Sequence, residues 1–421
     1  MDFGAHPCFN EKTRHSTGRV HLPVAEKCNV QCNFCNRLYD CANESRPGVS
    51  SAVLSPFQAL DYLAAVLRKF DAVSVVGIAG PGDPFANAEA SLSTLELVRS
   101  RFPDKLLCIA TNGLELADYA ERLAELKVSH ITITCNAVDP AIGAKIYAWV
   151  RYGSRVYRAE AGAALLLERQ IEGVKLLKSL GIAVKINTVV IPGVNEAHAL
   201  KVSETMAGLG ADIQNCIPMM PVKGTAFEAL PSPSPDAMAA VRLEAGGYLK
   251  QMSHCARCRA DAAGFIGAGN QAEIEALLKE AGTARPTAER PYIAAASREG
   301  FFVNLHLGEA RFFWVFGIEG GKPVLLEQRP APYPGGGDAR WEELAETLKD
   351  CFAVLCRACG GAPKRILEKR GFSVSVNEGL IADIAVCLFS GKKIPPVYAP
   401  AARRCGGGTG CGCAEGEGCG A

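Results

Sequence analysis

The sequence predicts two α/β domains, the first an incomplete TIM-like barrel of parallel β/α units and the second a smaller α/β unit. Three observations support this. The chain has 421 residues, too many for one ordinary core and enough for two. Short β-branched runs alternate with helical periodicity through the first half. Between about 263 and 291 the pattern changes register, through Gly267-Ala-Gly-Asn270, a short acidic helix and Thr283-Ala-Arg-Pro286-Thr-Ala-Glu-Arg-Pro291, which reads as a linker.

Within the first domain, residues 1–262, strands are expected at 20–25, 72–79, 106–111, 128–136, 182–190 and 212–218. Helices are expected at 56–69, 114–126, 160–180, 196–208 and 235–252, the first announced by Ser55-Pro56. Chemistry in such barrels gathers at the C-terminal ends of the strands. The polar residues found there are Gly80, Gly82 and Asp83 of a glycine-rich turn, Thr111 and Asn112, Thr134 and Asn136, and Lys185 and Asn187. Strand alternation puts Lys185 and Asn187 on one face, where simple packing would place apolar residues.

A net charge of +1 from evenly mixed acids and bases leaves no electrostatic footprint for nucleic acid or an anionic membrane. No basic-then-apolar leader opens the chain, and no apolar run is long enough to span a bilayer, so a cytoplasmic location is expected. In that setting eighteen cysteines, several clustered with histidines, point to metal ligation rather than to disulfides.

Cys28, Cys32 and Cys35 are spaced to wrap one 4Fe-4S cube and leave its fourth iron without a protein donor. A structural zinc would call for a fourth ligand and the paired C-x-x-C of zinc ribbons. His6, Cys8 and Cys41, the last in a polar loop with Glu44 and Arg46, together make a ligand set for a second cluster. Cys255 and Cys258 form a C-x-x-C pair that needs a third ligand, for which Cys108 is the candidate. Cys135 and Cys216 have no partner in sequence and read as small buried residues.

The Cys28–Cys35 loop resembles the signature of the radical S-adenosylmethionine (SAM) enzymes. In that family the open iron binds SAM and one electron cleaves it to a 5'-deoxyadenosyl radical. Ala79-Gly-Pro-Gly-Asp-Pro84 looks like a variant of the turn that contacts the SAM amino group, and the polar strand residues above become SAM-contact candidates. His6-Pro-Cys8, Tyr39-Asp-Cys-Ala-Asn-Glu-Ser-Arg-Pro-Gly-Val49, Asn136-Ala-Val-Asp-Pro140 and His254-Cys-x-x-Cys-Arg-Ala-Asp-Ala262 extend the likeness. Together they resemble the nitrogenase cofactor maturases.

That resemblance implies an enzyme with one SAM-binding 4Fe-4S cluster, at Cys28, Cys32 and Cys35, and two auxiliary 4Fe-4S clusters. One auxiliary cluster would be held by His6, Cys8 and Cys41, the other by Cys108, Cys255 and Cys258. The two would be fused, with a SAM-derived carbide and one sulfur, into the 8Fe-9S-carbide precursor of the nitrogenase cofactor. Glu44 and Arg46 are candidates for proton handling and positioning. Implied partners are an iron-sulfur cluster donor, an electron donor and a scaffold or carrier protein of nitrogenase assembly. Two other functions remain open: a radical SAM enzyme modifying a peptide or small molecule, and a non-catalytic iron-sulfur carrier.

In the second domain, residues 292–395, strands are expected at 292–296, 301–305, 311–318, 364–367 and 372–375, with a helix at 339–357. It resembles the NifX and NafY family of small cofactor carriers, which implies a ribonuclease-H-like fold. Asn304-Leu-His306-Leu-Gly308-Glu-Ala310 matches that family's motif, with Glu309 where a second histidine is usual; His306 either holds cofactor or is a satisfied loop residue. Cys356 and Cys359 form another C-x-x-C, expected at a helix end. The tail, 396–421, is rich in glycine and cysteine and cannot form a core; its thiols either capture iron or stand exposed.

Overall fold

A computed structural model describes residues 3–86, 88–267 and 269–400; the cysteines of the tail lie outside the described residues. The chain divides into two compact units, Met1–Ala284 with Glu368–Gly371, and Arg285–Leu367 with the chain from Phe372 onward.

In chain order the first unit runs β1 (Gly18–His21), β2 (Val30–Cys32), α1 (Pro56–Lys69), β3 (Val73–Ile78), α2 (Ala88–Arg101), β4 (Leu106–Thr111), α3 (Ala120–Glu125), β5 (Val128–Thr134), α4 (Pro140–Ile146), β6 (Tyr147–Tyr152), β7 (Arg155–Tyr157), α5 (Ala159–Ser179), β8 (Ala183–Val190), α6 (Ala199–Gly208), β9 (Ile213–Pro218), α7 (Pro235–Gly246), β10 (Ala263–Gly264) and α8 (Gln271–Ala281). Its main sheet has the order β10-β1-β3-β4-β5-β8-β9. All pairings are parallel except β1 with β10. Parallel strands covered by helices on one side and filled by side chains on the other are buried along their length, and β8 is buried at every residue. The two edge strands do not pair with each other, so the barrel stays open.

Local chemistry sets the helices on this sheet. Ser55 accepts from Gln58 N while Gln58 Oε1 accepts from Ser55 N, a reciprocal cap with Pro56 at the first helical position. The helix then buries Ala59, Tyr62, Leu63 and Val66 against the core beneath β1 and β3. A smaller ribbon, β2-β6-β7, grips the first cysteine loop, with Cys32 in register opposite Tyr147.

Several elements differ from the sequence expectation. α2 was not predicted, because its inner face carries Ser91, Ser93 and Thr94, which blur the apolar period. α7 stops at Gly246 rather than at 252. The stretch 263–284, expected to open a linker, packs into the first unit: β10 pairs with β1, and α8 buries Ile274 and Leu278 in the main core.

The second unit contains β11 (Tyr292–Ala296), β12 (Phe302–Val303), β13 (Phe312–Glu319), β14 (Lys322–Pro330), α9 (Asp338–Thr347), β15 (Cys351–Cys356), α10 (Gly361–Lys369), β16 (Ser373–Val376), β17 (Gly379–Leu380) and α11 (Ile381–Phe389). A mixed sheet of order β14-β13-β11-β15-β16 forms its centre. The helix expected over 339–357 ends at Thr347, and Cys351–Cys356 is instead a central strand buried at all six residues. A short continuous apolar run fits a buried strand and a buried helix equally well. The strand expected at 364–367 lies inside α10, so Cys356 ends a strand rather than a helix.

Candidate functional site

The loop from β1 to α1 carries the three-cysteine motif, and hydrogen bonds fix its shape. Gln31 Nε2 donates to the carbonyls of Cys32 (3.0 Å) and Cys35 (2.7 Å), and Asn33 N donates to Ile146 O. Cys28, Cys32 and Cys35 are free cysteines, and Cys35 is among the groups that bear on both Cys28 and Cys32. Burial pushes the Cys28 thiol up to about 12 and raises that of Cys32 well above its ordinary value. Such sulfurs carry charge only when a metal takes the proton's place. Arg37 supplies a nearby cation: it hydrogen-bonds Cys35 and is anchored by the carbonyls of Glu26 (3.0 Å) and Pro81 (3.3 Å). The Ala79–Pro84 turn lies against this loop so closely that a Cβ on Gly82 would overlap Lys27 O. The donor set, its burial and the adjacent arginine all fit a 4Fe-4S cluster.

Inside the barrel is a cavity lined by His6, Cys8, Cys108, Cys255 and Cys258, together with Glu44 and Lys185. Residues from the N-terminal segment, a central strand and the segment after α7 are thereby brought to one chamber. His254 Nε2 to Pro7 O (2.6 Å) ties the first of these segments to the last. Cys108 is pushed up to about 12 by burial, Cys8 is raised for the same reason, and His6 is held well below its ordinary value, hence neutral. His6 Nδ1 accepts from Cys8 N at 3.1 Å, while its buried Nε2 has no hydrogen-bond partner among the described residues. A neutral imidazole with one free nitrogen and buried thiols fits cluster ligation. Gly77 leaves room for the Cys108 sulfur, which an added Cβ would meet at 2.6 Å.

Cys41 does not line this cavity. Its sulfur is 3.5 Å from Asn43 Nδ2, an amide that also reaches Cys32 Sγ at 3.8 Å. The structure thus brings His6 and Cys8 to Cys108, Cys255 and Cys258, and sets Cys41 beside the first cysteine loop. Among the described residues no three such donors meet tightly enough for a single metal ion.

The expected SAM contacts fall into two groups. Asp83 is buried and bound by Thr111 Oγ1 (2.9 Å), Asn112 N (2.6 Å) and Phe85 N (3.0 Å), so it staples the strand-end loops together. Asn112 Nδ2 bonds Asn29 Oδ1 at 2.7 Å and lies 3.9 Å from Cys28 Sγ, which puts this group at the first cysteine loop. Thr134 and Asn187 instead clamp Glu44, each donating at 2.9 Å to one of its oxygens. Asn136 is committed to backbone and to Asn43, and Lys185 faces the cavity rather than Cys28. Enclosure pushes the Glu44 carboxyl up to about 7. Arg46 is exposed, and its Nε donates to Arg257 O at 3.0 Å, pinning its loop to the cysteine pair at 255–258.

Sequence reading missed Arg19, Asn43 and Asp40. Asp40 accepts from Ser51 N, Ser51 Oγ and Ala260 N and so holds the glutamate loop in place. Arg19 lies inside β1, one residue before the expected strand; a charge flanked by Gly18 and Val20 was its signal.

In the second unit His306 Nδ1 accepts from Gly308 N at 3.0 Å, and the ring lines a separate cavity with Arg298, Asn304, Glu309 and Arg357.

An open parallel β/α barrel with a buried three-cysteine loop at the strand ends defines a radical SAM enzyme, which uses a 4Fe-4S cluster and SAM. The family model described as Radical SAM superfamily matches residues 22–206, and that described as Dinitrogenase iron-molybdenum cofactor matches residues 289–391. The FeMo cofactor biosynthesis protein NifB of Chlorobaculum tepidum is 51% identical, over 92% of this chain and 93% of its own. NifB of Klebsiella pneumoniae is 38% identical, over 89% of this chain and 87% of its own. The chain belongs to the NifB family. Among solved structures it resembles methylornithine synthase (PylB), with a TM-score of 0.38 and 15% identity, over 57% of this chain and 72% of that one. Among the described residues no helix is long and apolar enough to cross a membrane.

Proposed function

We propose that this enzyme fuses two 4Fe-4S substrate clusters, with a SAM-derived carbide and one added sulfur, into the 8Fe-9S-carbide precursor of the nitrogenase cofactor. The observation that carries this reading is the single chamber that receives both His6 with Cys8 and Cys108 with Cys255 and Cys258. Two clusters held by residues that line one chamber can meet without leaving the protein. Cys41 sits with Cys32 on Asn43, a residue that itself lines the chamber, and so borders both the first cysteine loop and the chamber.

The residues divide the work. Cys28, Cys32 and Cys35 hold the resident cluster, which when bound supplies the electron that cleaves SAM. Thr111 and Asn112, oriented by Asp83, border the SAM position at Cys28. Glu44, held by Thr134 and Asn187, faces the chamber where a methyl carbon bound to cluster sulfur must lose its hydrogens, and takes up protons there. His6 is the displaceable ligand, since neutral imidazole binds iron less tenaciously than thiolate. The relatives are named for FeMo cofactor biosynthesis, which supports this reading; the reaction calls for a cluster donor, a reductant and an acceptor such as a carrier or scaffold protein.

The test is anaerobic reconstitution with iron and sulfide, reduction, and reaction with methyl-labelled SAM. S-adenosylhomocysteine and 5'-deoxyadenosine should both form, with label retained in a larger acid-labile cluster. Deoxyadenosine alone would favour modification of a peptide or small molecule, and neither product would leave a carrier.

A further inference from the structure

Two buried cations face the chamber, and among the described residues neither forms an ion pair with a carboxylate. Arg19, 3% exposed, donates through Nη1 to Gly264 O and through Nη2 to the sulfur of Cys258, 2.6 Å away. Its Nε is buried with no protein partner. Lys185, 7% exposed, lines the same chamber, with Nζ 5.9 Å from the centre of the Phe9 ring. The ionisable groups that bear on them are Cys258, Cys8 and Cys108 for Arg19, and Cys8, Glu44, Cys255 and Cys108 for Lys185. Arg19, with no carboxylate among the groups acting on it, is a costly buried cation, and a neutral thiol does not offset its charge. A thiolate-bound cluster would, being anionic and gaining a further negative charge on reduction.

We infer that Arg19, by its hydrogen bond to Cys258 Sγ and its charge, tunes the auxiliary cluster at Cys108, Cys255 and Cys258, favouring its reduced state, with Lys185 adding charge to the same chamber. This rests on the ligand set given under the proposed function. Cluster potentials are set by net charge and by hydrogen bonds to the sulfurs, and Arg19 supplies both at one ligand. Its fork is fixed by Gly264 O, so the guanidinium is preorganised rather than drawn in by the cluster. Arg19 is therefore a positioning residue, acting through Cys258.

The experiment is an EPR-monitored reductive titration of the reconstituted full chain, with dithionite as electron donor. It compares the unchanged protein with Arg19→Gln, Arg19→Lys and Cys258→Ala. Arg19→Gln should lower the reduced-to-oxidised ratio of the auxiliary cluster about tenfold at fixed poise, equal to 59 mV for a one-electron couple. Arg19→Lys should recover part of the shift, and the SAM-cluster signal should not move, which excludes misfolding. Loss of the auxiliary signal from Arg19→Gln but not from Arg19→Lys also supports the inference. An auxiliary cluster that titrates unchanged in Arg19→Gln overturns it, as does equal loss from both variants. If Cys258→Ala costs no cluster, the ligand assignment itself has failed.

Discussion

A carboxylate enclosed beside Lys185 and the chamber's sulfur ligands does not keep the acidity it has in water. The Lys185 charge and two hydrogen bonds favour the ionised form of Glu44, yet burial outweighs them and pushes the carboxyl up to about 7. The sign follows directly: below about 7 the side chain holds its proton, and above it the carboxylate can accept one. If Glu44 takes protons from the methyl carbon, formation of the labelled cluster should rise with pH between about 6 and 8 and then level off. Glu44→Gln should remove that dependence and lower the rate about 100-fold, the low end for a lost general base. S-adenosylhomocysteine formation, a simple displacement, should change little in the same variant. A pH profile kept intact in Glu44→Gln would show that the proton goes elsewhere.

At the scale of the element, the barrel strands were readable because short β-branched runs recur between helices, and α1 was readable from Ser55-Pro56 and its inner apolar stripe. What remained hidden was decided by tertiary context. The run Cys351–Cys356 has no polar face from which to read a period, and α2 hides its period behind buried hydroxyls. The candidate ligands were proposed from spacing and resemblance, but their grouping could not be: only folding shows that His6 and Cys8 share a chamber with Cys108, while Cys41 lies by Cys32. Arg19 and Asp40 escaped because each acts through a contact more than two hundred residues away, Cys258 for one and Ala260 for the other. Strand packing also yields a prediction at Gly77, in register with Cys108 on the neighbouring strand. A strand accepts alanine readily, but here its methyl would meet the Cys108 sulfur at 2.6 Å. Gly77→Ala should therefore keep the fold by circular dichroism and lose about four iron atoms per chain, one 4Fe-4S cluster. Full iron content in that variant would remove Cys108 from the ligand set.

For the whole molecule, the question is where the first unit ends. A boundary at residue 262 would treat 263–284 as tether, whereas the structure uses that stretch to complete the core. β10 pairs with β1 at the sheet edge, Arg19 donates to Gly264 O, and α8 lays Ile274 and Leu278 on the core beside α1, with Lys69 paired to Glu273. Fully burying one such aliphatic side chain contributes about 1.5–3 kcal/mol, so losing both removes about 3–6 kcal/mol, a large share of a typical domain's margin. A chain ending at 284 should then unfold at a denaturant midpoint close to that of the first transition of the full chain, and retain SAM cleavage. One ending at 262 should unfold at a much lower midpoint, and should lose the auxiliary cluster first, since β10 anchors both Arg19 and the segment that carries Cys255 and Cys258. Equal midpoints for the two truncations would mean that α8 is a passenger and that the barrel core closes without it.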